Sequence, residues 1–104
     1  MRDVEIIEEV EQAIDAGDFT FILFSRDGNA DRDRLLLGVS RLLRRNEAVR
    51  AFHVDLDQMP TAAGRYTVYS TPAYVIYRRG TMVGKVEGGF SPTHVARTIA
   101  GLLG

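Results

Sequence analysis

Two rhythms of apolar residues alternate along this chain. From residue 4 to 16, Ile6, Val10, Ala13 and Ile14 recur at helical spacing, and Glu5, Glu8, Glu9 and Glu11 fall mostly off that stripe. The pattern predicts a helix over Val4–Ala16, capped by Asp3 and stopped by Gly17. The period then changes. Phe19–Ser25 is a near-continuous apolar run, the mark of a strand covered on both faces. Arg26–Ala30 is polar, contains Gly28 and Asn29, and reads as a loop. Helical spacing returns over Asp31–Arg45. There Leu35, Leu36, Val39, Leu42 and Leu43 make a buried stripe, and Arg41, Arg44 and Arg45 suit the negative end of the helix dipole. Arg50–Asp55 alternates as a strand does, and Gln58–Tyr66 has room for a short helix. Ala73–Arg78 and Met82–Glu87 are predicted to form a hairpin around Arg79-Gly80-Thr81. Ser91-Pro92 supplies a cap and a first-turn proline for a last helix ending at Leu103. The predicted order is α-β-α-β-α-β-β-α, with no repeat, linker or low-complexity tract.

Composition narrows this picture. The chain has 104 residues and a mass of 11.6 kDa, which predicts one domain spanning 1–104. A chain of that size buries roughly 65% of its unfolded surface, enough for a core without covalent staples. Its net charge of −1 gives no whole-molecule field that would draw it to nucleic acid or to a membrane surface. No apolar run approaches ~20 residues and the acidic N-terminal segment lacks a basic leader, so a cytoplasmic soluble protein is the expectation. There is no cysteine. Disulfides, thiol nucleophiles and thiolate metal sites are therefore excluded.

Several residues together carry a resemblance. Phe21-Ile22-Leu23-Phe24-Ser25 precedes the loop Gly28-Asn29-Ala30-Asp31, and His53-Val54-Asp55-Leu56-Asp57-Gln58-Met59-Pro60 follows the long helix. Tyr66, Thr71-Pro72, Gly80 and Gly88 come next, and the register from Asp31 to Pro72 needs no gap. In this joint spacing the chain resembles the thioredoxin family over nearly all its length. The resemblance implies an α/β, three-layer fold with helices on both faces of a four-stranded mixed sheet. Its strands are expected in the order Arg50–Asp55, Phe19–Ser25, Ala73–Arg78, Met82–Glu87. The family's first strand is expected to be missing, because the chain starts too late to supply it.

The departures from the family matter most for function. Gly28-Asn29-Ala30-Asp31 stands in place of the family's Cys-Gly-Pro-Cys, with Gly28 and Asp31 at the two thiol positions. Thiol exchange requires a thiolate, so disulfide oxidoreductase activity is not expected. Ile22 replaces the family's buried acid, His53 the lysine that accompanies it, and Leu36 a kinking proline. The resemblance also implies a cis bond at Thr71–Pro72 and pairing of the residue before the proline with an extended peptide, a form of strand addition. These points favour a redox-inactive, protein-binding adaptor or folding and assembly chaperone. It would hold a partner segment at Asp27, Thr71, Pro72, Gly88, Gly89 and Phe90. No cofactor is called for, and the partner would be a protein or peptide.

Other signals compete with that reading. His53, Asp55 and Asp57 share one strand face and make a possible polar site. A lone histidine is a poor metal anchor, so no metal is expected. His53 is expected under the site loop, bonded to Asp31, Asp27 or water, and Asp57 is expected to cap the next helix. An alternative function is an enzyme, or a glutathione-like small-molecule binder, that uses Asp31 and His53. Asp27, Asn29, Asp31 and Asp33 begin like a calcium loop, but Arg32 stands at the required glycine and Gly38 at the closing acid. Ser25 lacks a nucleophile-elbow context, and nothing in the sequence orders a base beside it. Arg41, Arg44, Arg45 and Arg50 read as a solvated face. Without a first strand, Arg50–Asp55 would be a bare sheet edge, so a structural homodimer through residues 50–55 is a further expectation, with Met1–Val4 covering the edge as the competing solution.

Overall fold

The computed structural model describes Met1–Gly104. Its elements are β1 (Arg2–Asp3), α1 (Glu8–Asp15), β2 (Phe19–Ser25), α2 (Ala30–Leu43), β3 (Val49–Asp55), α3 (Thr61–Arg65), β4 (Ala73–Arg78), β5 (Thr81–Glu87) and α4 (Pro92–Leu103). The sheet has five strands in the order β1-β3-β2-β4-β5. β1, β3 and β2 run parallel, whereas β4 is antiparallel to both β2 and β5.

Alternation along the strands builds two cores. Ile22, Phe24, Phe52, Val54, Ala73 and Val75 face one way and pack with Val10 and Ala13 of α1 and Ala62 of α3. Phe21, Leu23, Val49, Tyr74 and Ile76 face the other way and meet Val39 and Leu43 of α2 and Val95 and Ile99 of α4. Every residue of β2 is buried, as its unbroken apolar run requires of a central strand. Gly38 lets α4 begin against α2, since a Cβ there would sit 2.6 Å from Pro92 Cγ. Its place is a helix contact, not the end of an ion-binding loop.

The N-terminus departs from expectation. The first strand is present, although only two residues long: Arg2 pairs with Phe52 and Asp3 with His53. The Val4 N–H extends the ladder to the His53 carbonyl at 2.9 Å, and the Val4 side chain enters the core. Asp3 therefore caps no helix, and α1 starts at Glu8 without a side-chain cap. Helical spacing over residues 4–7 yields because pairing satisfies backbone groups that an open edge would leave to water. The bare edge behind the expected homodimer does not exist over Phe52–His53, since Met1–Val4 covers it. α3 is shorter than its spacing suggests: the Asp55 carbonyl takes the N–H groups of Gln58 and Met59 in a turn first. No helix is long and apolar enough to cross a membrane.

Candidate functional site

The candidate site lies where β1, β3 and β2 end and the loop into α2 begins. In sheets with parallel strands, the carboxyl ends of the strands are where ligand crevices form. Asn29 caps α2, its Oδ1 accepting the Arg32 N–H at 2.9 Å, and the flanking β conformation of Asn29 turns the chain into the helix. Asp27 holds φ +52°, in the left-handed region, and its N–H donates to Asp57 Oδ2 at 2.9 Å. Asp57 thus ties this loop to the end of β3 rather than capping α3, whose N-terminus has no side-chain cap. Gly28, Asn29, Ala30 and Asp31 are all exposed. Arg32 folds back over Gly28, with Nη2 3.2 Å from where a Gly28 Cβ would be. A guanidinium thus covers the position of the resembling family's first thiol.

Opposite this loop stands the turn before β4. The Thr71–Pro72 bond is cis. The Pro72 carbonyl accepts the N–H of Gly88, a residue at φ +93°. Glu87 accepts the Tyr69 N–H and, at 3.4 Å, the Ser70 N–H. These bonds, chiefly that from Tyr69, hold the Glu87 carboxyl below its ordinary range, and they fix the approach to Thr71. Between loop and turn lies a cleft of about 350 Å³, lined by Asp27, Asn29, Arg32, Thr71, Pro72 and Phe90 among others. Gly89 is exposed beside it, but Gly88 and Gly89 do not line it. Phe90 is half-buried and packs edge-on against Tyr74, ring centroids 5.0 Å apart. It belongs partly to the α2/α4 core and is no purely exposed anchor.

His53 is not where the sequence suggested. Its Nε2 lies 2.7 Å from Ser25 Oγ and its Nδ1 2.8 Å from Asp3 Oδ1. An ionised Asp3 can only accept, so Nδ1 carries the proton, and in the neutral ring Nε2 accepts from the Ser25 hydroxyl. Ser25 and His53 are buried, whereas the Asp3 side chain is 88% exposed. The sequence shows no base for Ser25 because Ser25 and Asp3 flank His53 only through the alignment of three strands. A histidine and a serine on the same-facing positions of neighbouring strands was the one available signal.

The other candidate pairings do not form. Asp31 pairs with Arg34 on the exposed face of α2 and does not reach His53. Asp55 faces Arg32 at 3.6 Å and accepts the Asp57 N–H, so His53, Asp55 and Asp57 each serve different partners. Asp33 pairs with Arg32, and Asn29 is committed to its cap, so the oxygens spaced like a calcium loop point to separate tasks. Arg50 pairs with Asp18 at 3.1 Å, within the solvated surface expected of it.

At the level of sequence, no protein-family model and no curated protein matches the chain. Solved structures do match. A designed protein superposes with a TM-score of 0.88 at 22% identity, covering 99% of this chain and 92% of that one. Oxidised mitochondrial thioredoxin 3 from Saccharomyces cerevisiae gives 0.83 at 22% identity, covering 97% and 94%. Thioredoxin from Trypanosoma brucei brucei gives 0.85 at 19% identity, covering 97% and 88%. This chain therefore has the thioredoxin fold, and it has that fold without a cysteine. The thiol chemistry of a thioredoxin-type disulfide oxidoreductase is accordingly beyond it.

Proposed function

We propose that this protein is a non-redox peptide-binding module, an adaptor or a folding and assembly chaperone of a cytoplasmic setting. It would hold an extended partner segment in the cleft between Asp27–Asp31 and Thr71–Phe90. One observation carries the reading. The backbone N–H and C=O of Thr71 make no hydrogen bond within the chain, and Thr71 lines the cleft half-exposed. An unpaired donor and acceptor beside a groove are what strand addition uses: main-chain bonds give affinity and flanking pockets give selection. Phe90, Pro72 and Leu35 offer apolar walls for such pockets, and Arg26, Asp27 and Arg32 offer charge of both signs.

Selection of a displayed random peptide library against the protein tests this reading. Bound peptides should slow hydrogen exchange of the Thr71 amide, and Thr71→Arg should abolish their capture while leaving the circular dichroism spectrum unchanged. A library that yields no binder, or binders indifferent to Thr71→Arg, would overturn it. Phe90→Asp is a poor probe, because the side chain also packs on Tyr74.

A further inference from the structure

Three neighbouring parallel strands each present one residue on the α2/α4 face: Asp3 from β1, His53 from β3 and Ser25 from β2. Carboxylate, imidazole and hydroxyl are joined in series at 2.8 and 2.7 Å, the imidazole using Nδ1 toward the acid and Nε2 toward the hydroxyl. That order of atoms is the one by which a serine is made nucleophilic: the base removes the hydroxyl proton and the acid holds the ring in the tautomer that can accept it. Ser25 also lines the cleft, at its floor, with a residue exposure of 1%.

A second observation meets it there. Arg32 lines the same cleft, and its Nε is buried without a hydrogen-bond partner. A buried N–H donor left unpaired costs stability, and a guanidinium lining the same cleft as the serine is suited to the oxygen that gains charge when an acyl group is attacked. Arg32 also borders the opening on the His53 side, so it bridges the two ends of the series.

We propose that Ser25 is an acyl-accepting nucleophile for small carboxylic esters, with His53 as its general base and Asp3 as a positioning residue. Ser25 Oγ adds to the ester carbonyl as its proton passes to His53 Nε2, and the carbonyl oxygen becomes an oxyanion facing Arg32. Collapse of this adduct breaks the carbon–oxygen bond to the leaving alcohol, which takes the proton from Nε2. The product is an ester on Ser25. Water then adds to that ester carbonyl and gives a proton to Nε2; collapse breaks the bond between the acyl carbon and Ser25 Oγ, which takes the proton from Nε2, and the carboxylic acid leaves. No oxidant, reductant or other reactant is needed. The depth of Ser25 limits the acyl group to a short one.

The test uses the full chain and p-nitrophenyl acetate, with release of nitrophenol followed in time and the acetylated residue located by peptide mass mapping. Acetylation at Ser25 is expected, with a rate falling to background in Ser25→Ala. His53→Gln should slow it by roughly 100-fold or more, within the usual range for a general base. Asp3→Asn should slow it at saturating ester without changing the half-saturating concentration, by less than the roughly 10⁴-fold of a buried triad acid because Asp3 is exposed, and Asp3→Glu should recover most of the loss, which a merely structural role of the β1 edge would not produce. His94→Gln, which removes the other histidine, should leave the rate unchanged. Asp3 is exposed, so its variants keep the test decisive even if His53→Gln fails to fold. Absence of acetyl on Ser25, or equal rates in the native protein and Asp3→Asn, would overturn the proposal.

Discussion

The two faces of the sheet differ most at the carboxyl end of β2. On the α1/α3 face, Ile22 and Phe24 are fully buried among Phe52, Val54, Tyr66 and Val75, with no charged residue among the buried side chains of that layer. Where the resemblance to thioredoxin places an acid, this chain has Ile22, so the face is apolar at that point. On the α2/α4 face the same strand ends in Ser25, hydrogen-bonded to buried His53. Adjacent residues of one strand thus look into an apolar layer on one side and a polar series on the other. The contrast teaches where chemistry remains available. A face with isoleucine at that point offers no group to pass protons, whereas a serine–imidazole pair at a cleft has two such groups. On the second face the cost of burying a polar pair is met by a short hydrogen bond between Ser25 and His53.

The contrast is broken most severely by returning the acid. Ile22→Asp would bury a carboxylate among apolar groups with no partner, and a loss of about 3–5 kcal/mol is expected, read from urea unfolding at neutral pH. A loss below about 1 kcal/mol would mean that the α1/α3 face admits water or a hidden partner there.

A cycle on the opposite face sharpens the comparison. Ser25→Ala leaves His53 Nε2 buried without its partner and should cost about 1–3 kcal/mol, as should His53→Leu by stranding the Ser25 hydroxyl. The double variant should cost clearly less than the sum of the two, since both partners leave together. Additive losses would show that the pair is not coupled.

Tyr66 reports on the apolar face in alkali. Burial, then the nearby Glu11 carboxylate, pushes its phenol up to about 12. Tyr77, which meets Tyr66 edge-on at 6.3 Å, is raised by burial as well. A raised folded-state value means that the unfolded chain releases the proton first, at a pH near 10. Stability from this group is whole below that pH and falls as pH rises toward 12. Urea midpoints across this window should decline in the native protein and decline less in Tyr66→Phe.

The smallest effects concern exposed residues around the cleft. Asp3→Asn should change stability by less than about 1 kcal/mol, because its side chain is largely in water. Gly28→Cys with Asp31→Cys should reduce insulin only marginally above a blank, since Ile22 cannot relay a proton to the introduced thiols. Brisk turnover would show that the apolar face is no obstacle.

Much of this was legible in the residues. β2, β4 and α4 stand where periodicity, the Arg79-Gly80 turn and Ser91-Pro92 put them. Those signals are local: a run of apolar side chains or a capping pair carries its own physical preference wherever it lies. The loss of thiol chemistry is likewise a matter of composition. β1 was not legible, because two residues have no period, and helical spacing in the same segment argued against a strand. Nor was the series Asp3–His53–Ser25, whose members are separated by 50 and 28 positions in the chain. It exists only because β1 pairs with β3 in a register that sets Asp3 opposite His53, and a slip of one residue would turn Asp3 to the other face. What each segment would become was thus decided by its own side chains, and which side chains would meet was decided by strand register, which no segment carries alone.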